Sequence, residues 1–359
     1  MSRIQTEQSM FDAAIESARV FNGVASECAS TSGLLDCLRD YRSPRETMKR
    51  FRVHPEKARA FQALLDVLVD TGLLEKRIQA GQPAYRTRPQ EVAGRRSLDG
   101  GIERYRPRLE VLDPWFGDRH VDLIRSSNQE LLGHNLSFFH SPSTKIRFSK
   151  EYLDAWRTNL ANPLYEFGRV LAVRELVKYG RRFLDLCSGL GYGSERLAQF
   201  APEGCEIVCV DKSRDFLEEA RLVIYPGAKV RFVERDLNSG LPPLPAGSFD
   251  GVLFNGSFHF MVDKEERLRE IHRVLRPGGL LVIGHCFSRS NFADEAMHEL
   301  YFSMLEDESW PLSFEELRTL VAASDFQEIR QYHRGSHSYL LAERLPGEPE
   351  TAPPRVELP

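Results

Sequence analysis

Three acidic residues occupy matching places in the second half of the chain. Asp185, Asp211 and Asp236 stand at the ends of short apolar runs, RRFLDL, CEIVCVD and VRFVERD. An ionised carboxylate only accepts hydrogen bonds, so three of them at successive strand tips ask for a ligand rich in donors. The stretch DLCSGLGYGSERL, which begins at the first acid, holds Gly189, Gly191 and Gly193. A dinucleotide loop needs Gly-x-Gly-x-x-Gly, with a pyrophosphate on the following helix N-terminus. Here Ser194 takes the third glycine's place, and Asp185, four residues before Gly189, would repel a pyrophosphate. The loop therefore suits a ligand that brings a cationic group to this strand tip, such as the ammonium of an amino-acid moiety. Asp211 lies about twenty residues past the glycines, where a carboxylate accepts from both hydroxyls of a ribose. Asp236 is placed to accept from the exocyclic amine of a base, with Leu237 beside it and Asn255 at the end of the next run, FDGVLFN.

The elements that carry these residues follow from the change of period at residue 181. Short β-rich runs (RFLDLC, CEIVCVD, KVRFVER, FDGVLFN, GLLVIGH) alternate with helical ones (SERLAQF, RDFLEEARLVI, KEERLREIHRVL). That alternation predicts parallel strands covered by helices. After SFEELRTLVAASDF, with Ser313 and Glu316 as a capping box, FQEIRQYH and SHSYLLAER predict two closing strands joined by a turn at Arg334-Gly335. The first ninety residues predict three helices and a small hairpin, a winged-helix pattern. SGLLDCLRDY and SPRETMKRF are followed by HPEKARAFQALLDVLVD, which breaks at Thr71-Gly72, and then by LLEKRIQAGQPAYRT. Residues 96–178 predict a helical linker entered through the Gly- and Pro-marked stretch RRSLDGGIERYRPRLEVLDP, and the Pro- and Glu-rich tail 346–359 predicts disorder.

Asp185-Leu186-Cys187-Ser188-Gly189-Leu190-Gly191, then Asp211, Asp236 and RVLRPGG (Arg273–Gly279), resemble in that order the motifs of the class I S-adenosylmethionine-dependent methyltransferases. The resemblance covers roughly residues 180–345 and departs in one place, where Cys187 replaces the first glycine. It implies an α/β, Rossmann-like sheet of seven strands over residues 179–345, with S-adenosylmethionine held by Asp185, Cys187, Gly189, Gly191, Gly193, Asp211, Asp236, Leu237 and Asn255. The N-terminal pattern, taken as residues 1–95, is similar to the winged-helix dimerisation domain of small-molecule O-methyltransferases from plants and bacterial natural-product pathways. That similarity implies a homodimer, a linker that helps enclose a small-molecule acceptor, and methyl transfer to oxygen. In such enzymes a histidine after the fourth strand, with an acid four residues later, takes the acceptor's proton. His259 and Asp263 in NGSFHFMVDKEE supply that spacing. Phe138, Phe139, His140 and Trp156 fall where the acceptor pocket would draw its walls, or where helices would bury them.

Composition narrows the alternatives. A net charge of −4 gives no global attraction to nucleic acid or anionic lipid, although residues 41–110 hold 16 Lys/Arg against 9 Asp/Glu. DNA binding by a winged helix is therefore a rival, set against the strongly apolar centre of HPEKARAFQALLDVLVD, which suits packing a partner chain. Six scattered cysteines without a C-x-x-C pair predict a reducing, cytoplasmic setting, with Cys205 and Cys209 facing a core. No run approaches membrane-spanning length, and the start shows no apolar core of a signal peptide. His285, His333 and His337 lack a carboxylate–histidine spacing, so no metal is expected. Carbon or nitrogen methylation on the same fold, or a scaffold that retains the cofactor without transferring a methyl group, are the remaining functional alternatives.

Overall fold

A computed structural model describes residues 20–89, 120–142, 147–161, 163–286, 295–305, 312–334 and 337–345. The tail and most of the linker's entry therefore lie outside the described residues, as does Gly335 of the expected final turn.

The sheet forms where the β-rich runs are. Its strands are β3 (Arg182–Leu186), β4 (Glu206–Asp211), β5 (Lys229–Glu234), β6 (Phe249–Asn255), β7 (Leu275–Cys286), β8 (Phe326–Arg334) and β9 (His337–Arg344). They lie in the order β5-β4-β3-β6-β7-β9-β8, parallel except for β9, which pairs antiparallel with both β7 and β8. The order reverses between β3 and β6, and crevices at such switch points, outside the carboxyl ends of the strands, are where open α/β sheets bind ligands. Asp185 pairs with Cys209 on one side and Leu253 on the other, which places it at the sheet's centre. Leu184, Val210, Val252 and Phe254 are fully buried, as strands covered on both faces require.

The N-terminal region gives a helix over residues 20–31, here α1, then α2 (Leu34–Cys37), α3 (Pro44–Phe51) and α4 (Ala58–Asp70), and the hairpin β1 (Leu74–Gln79) and β2 (Gln82–Thr87). The Ser43–Glu46 capping box opens α3 as read from the sequence, but α2 starts at Gly33 with no side-chain cap and lasts a single turn. α5 (His120–Leu132), α6 (Leu153–Leu160) and α7 (Pro163–Leu176) lead to the sheet, which α8 (Tyr192–Phe200), α9 (Arg214–Ala220) and α10 (Lys264–Val274) help to cover.

The apolar face of α4 packs within the chain, against α11 (Glu295–Ser303). Phe61, Leu64, Leu65 and Leu68 are fully buried in a cluster that also holds Leu300, Met304 and Leu305. Arg59 Nε adds an ion pair to Glu299 at 2.8 Å. The face that argued for a partner chain is already covered, so this helix gives no reason to expect a dimer. Phe138 and Phe139 join the same core, Phe139 edge-on to Phe61 with ring centroids 5.6 Å apart.

Candidate active site

A chamber of about 1100 Å³, including its open mouth, sits at the carboxyl ends of β3, β4 and β6. Asp185, Cys187, Gly189, Gly193, Asp211, Asp236, Leu237, Asn255 and His259 all line it, so nearly every residue picked from the sequence meets at one place. Gly191 and Asp263 do not line it.

Asp185 is 3% exposed and accepts a hydrogen bond from Ser194 Oγ at 2.7 Å. Burial pushes its carboxyl up to about 7, against the opposing help of Ser194 and the Arg169 charge. A carboxyl held this way gains most from a cation, because pairing removes the penalty that burial imposes. Ser194, which spoils the dinucleotide pattern, is thus the brace of the acid. Gly193 is needed for the same reason: a Cβ there would stand 2.9 Å from Asp185 Oδ2 and 3.0 Å from Leu253.

Asp211 is also buried and takes the main-chain N–H of Gly189 on Oδ2 and that of Ser213 on Oδ1, each at 2.8 Å. Burial raises its carboxyl while these two N–H groups hold it down. Each oxygen keeps a second lone pair for a ligand hydroxyl. Asp236 is exposed and caps the turn Leu237–Ser239, accepting from Asn238 N at 2.9 Å. Leu237 is buried beneath it.

Gly191 serves packing. A Cβ on it would run into the Tyr225 hydroxyl and stand 3.0 Å from the Ala220 Cβ. Cys187 has φ 51°, the left-handed backbone for which a glycine at this place is suited. Its thiol lines the chamber and burial raises it far above the usual range, so it stays protonated.

His259 is 4% exposed, on the turn Phe258–Phe260. Burial, with the Lys264 charge behind it, drives its imidazole well below the ordinary value, so the ring is neutral. Asp263 is exposed and caps the helix α10 (Lys264–Val274), accepting from Glu266 N at 2.9 Å. Four residues after His259 the chain has started a helix whose first N–H groups claim the Asp263 carboxylate.

The other half of the chamber is aromatic. Phe148 stacks on Trp156 at 4.7 Å and meets Phe216 and Phe260 edge-on. Tyr301 and Phe302 of α11 complete the wall, and Phe302 lies 4.9 Å from His259. Of the linker residues singled out above, only Trp156 reaches the chamber. Sequence reading missed Arg169, Ser188, Phe148, Phe216 and Phe302. Ser188 alone carried a signal, as a member of the glycine motif.

The chamber's two ends are chemically distinct, and this bears on whether a methionine-linked nucleoside fits. Asp185 wants a cation, Asp211 has lone pairs to spare, and the buried Ser188 hydroxyl finds no hydrogen-bond partner among the described residues. A ligand with an ammonium, ribose hydroxyls and no phosphate meets these needs.

The sheet order, with its antiparallel penultimate strand, and the chamber at its switch point define the class I methyltransferase fold. A family model described as a methyltransferase domain matches residues 184–283. The demethylmenaquinone methyltransferase of Thermus thermophilus is 38% identical over 134 residues, which are 35% of this chain and 60% of that protein. The ubiquinone/menaquinone biosynthesis C-methyltransferase UbiE of Photorhabdus laumondii is 31% identical over 184 residues, 48% of this chain and 67% of that protein. Among solved structures, the citrinin polyketide synthase CMeT domain superposes with a TM-score of 0.66 over 95% of this chain and 94% of that one, at 15% identity. The chain spans between 40% and 70% of the length of the first curated relatives it matches. It belongs to the class I S-adenosylmethionine-dependent methyltransferases, and S-adenosylmethionine is its cofactor. Among the described residues no helix is long and apolar enough to cross a membrane.

Proposed function

We propose that this protein transfers a methyl group to an apolar small molecule, at carbon in preference to oxygen. The observation that carries the reading is the junction of the two halves of the chamber, where buried Asp185 and Asp211 give way to Phe148, Trp156, Phe260 and Phe302 around a neutral His259. In this reading the loop Asp185–Gly193 holds the methionine part of the cofactor, with Asp185 facing its ammonium. Asp211 takes the ribose, and Asp236, Leu237 and Asn255 border the adenine. When bound, the cofactor supplies a methyl already activated on a sulfonium. The protein's share of the work is then to align the acceptor and exclude water.

His259, uncharged and in the wall, accepts a proton from the acceptor as its nucleophilic atom is methylated. A buried imidazole with a lowered proton affinity suits an acidic acceptor, such as an enol, a quinol or a phenol, and not an alcohol. Carbon is favoured by the names of two relatives, a demethylmenaquinone methyltransferase and a C-methyltransferase. Oxygen is the alternative that the N-terminal resemblance and the His259–Asp263 spacing imply, and the capping role of Asp263 lends that spacing no support.

The test is incubation with methyl-labelled S-adenosylmethionine and a panel of quinols, β-dicarbonyls and phenols, with products located by mass and carbon NMR. Label on ring or chain carbon supports the proposal. Label only on oxygen moves the assignment to O-methylation. Cofactor binding without transfer to any acceptor, joined to salt-sensitive DNA binding by the full chain, would favour the regulatory alternative.

A further inference from the structure

The turn that carries His259 is tied down from two sides. Lys264, at the start of α10, donates from Nζ to the main-chain oxygen of Met261 at 2.6 Å and to that of His259 at 3.3 Å. Asn238 takes the alternate residues. Its Nδ2 donates to the main-chain oxygen of Phe260 at 3.2 Å, and its Oδ1 accepts the main-chain N–H of Val262 at 2.9 Å, across 22 and 24 positions of sequence. One side-chain amide thus pairs with this stretch as a neighbouring strand would. A carboxylate in its place could accept but not donate.

Lys264 joins the turn to its own helix, whereas Asn238 joins it to a different part of the chamber. The Asn238 main-chain N–H is held by Asp236 Oδ1 at 2.9 Å, and both residues line the chamber. On the acceptor side the Phe260 ring stands 3.8 Å from the His259 ring, centroid to centroid, and edge-on to Phe148 at 5.2 Å. Phe260 packs against both the apolar cluster that holds Phe61 and the one that holds Phe254. A single amide therefore lies between the acid assigned to the base and the ring where the two halves of the chamber meet. Asn238 is exposed, so water competes for both of its hydrogen bonds to the turn. A base lying against Asp236 and Asn238 would shut that water out, and hydrogen bonds in a drier, less polarisable setting hold more strongly.

We infer that Asn238 is a positioning residue for the acceptor: it ties Phe260 to the turn beside the nucleoside, so that a filled nucleoside end fixes the wall against which the acceptor is held. This rests on the nucleoside and acceptor ends proposed above. By reciprocity, an acceptor seated on Phe260 tightens the hold on the nucleoside by the same factor.

The experiment is hydrogen exchange of the full chain with and without S-adenosylhomocysteine, read at the Gly189 and Val262 amides. In the wild type the ligand is expected to slow exchange at both, at Val262 by about 5- to 150-fold, the usual span of a coupling between sites. Asn238→Ala removes both hydrogen bonds, and should keep the slowing at Gly189 while losing it at Val262. Asn238→Asp still accepts from Val262 but cannot donate to Phe260, and should keep part of it. A merely structural Asn238 would, when replaced, speed exchange at Val262 by the same factor with and without ligand, so the ligand-dependent difference separates the two roles. A wild type slowed at Gly189 but not at Val262 overturns the inference, as does an Asn238→Ala protein that keeps the slowing at Val262. An Asn238→Ala protein slowed at neither place overturns it too, by making Asn238 part of the grip on the ligand. A wild type slowed at neither place removes the cofactor site, and the inference with it, a result distinct from the others.

Discussion

The Asp211 carboxylate accepts the main-chain N–H of Gly189 at 2.8 Å across 22 positions of sequence. The acid proposed for the ribose is therefore also the tie that holds the glycine loop to the end of β4. Asp211→Ala is expected to abolish cofactor binding and to destabilise the empty protein by about 1–3 kcal/mol, since a buried N–H and a half-buried one lose their acceptor. Asp211→Asn, which offers one acceptor oxygen for two donors, should fall between. Urea titration beside calorimetry separates the two effects, and unchanged stability in Asp211→Ala would contradict the tie.

Asp185 makes affinity and stability move in opposite directions with pH. Its carboxyl, raised to about 7 by burial, must be ionised to meet an ammonium, so cofactor affinity should fall as pH drops through 7, approaching about tenfold per unit. In the empty protein the same group binds its proton more tightly folded than unfolded. Its contribution to stability therefore rises as pH falls from about 7 toward the ordinary carboxylate range. Asp185→Asn should flatten both trends. Titrations between about pH 5.5 and 8.5 would show nearly constant affinity if the assignment were wrong.

Cys187 occupies a left-handed backbone with φ 51°. Cys187→Gly should leave stability level or raise it by up to about 1 kcal/mol, as relief of strain outweighs the looser unfolded chain. Cys187→Val, β-branched at the same φ, should lose more than about 1 kcal/mol from the same strain. Thermal melts of the two variants decide it, and a lower melting point for the glycine would show that the thiol's packing matters more than its backbone.

His259 and Asp263 should part company under mutation. His259→Ala is expected to lower kcat by about 10²–10⁴-fold if the ring takes the acceptor's proton, whereas Asp263→Asn keeps the cap of α10 and should leave both kcat and stability unchanged. Equal losses from the two variants would show that they act as a catalytic pair.

Much of this was legible in the sequence because strand ends are local facts. The acids at Asp185, Asp211 and Asp236 follow their apolar runs directly, and the capping boxes at Ser43 and Ser313 open the helices they announce. Arg169 was not legible. An arginine within an ordinary helical pattern reads as solvated, and only the packing of α7 beside the sheet buries it. The same limit applies to α4. Periodicity shows that a helix has an apolar face, but not whether the surface that covers it belongs to a partner or lies more than two hundred residues along the same chain, as Leu300 does. Phe302 and Phe216 joined the chamber through that tertiary step alone.

α11 stands between the two parts of the molecule, with α4 against it on one side and Tyr301 and Phe302 in the chamber wall. Phe21, from the first described helix, even touches Tyr301 edge-on at 6.3 Å. The aromatic wall is thus braced by both halves of the chain. A chimaera that kept this sheet and borrowed another enzyme's first ninety residues is expected to leave the glycine loop intact and to shift that wall.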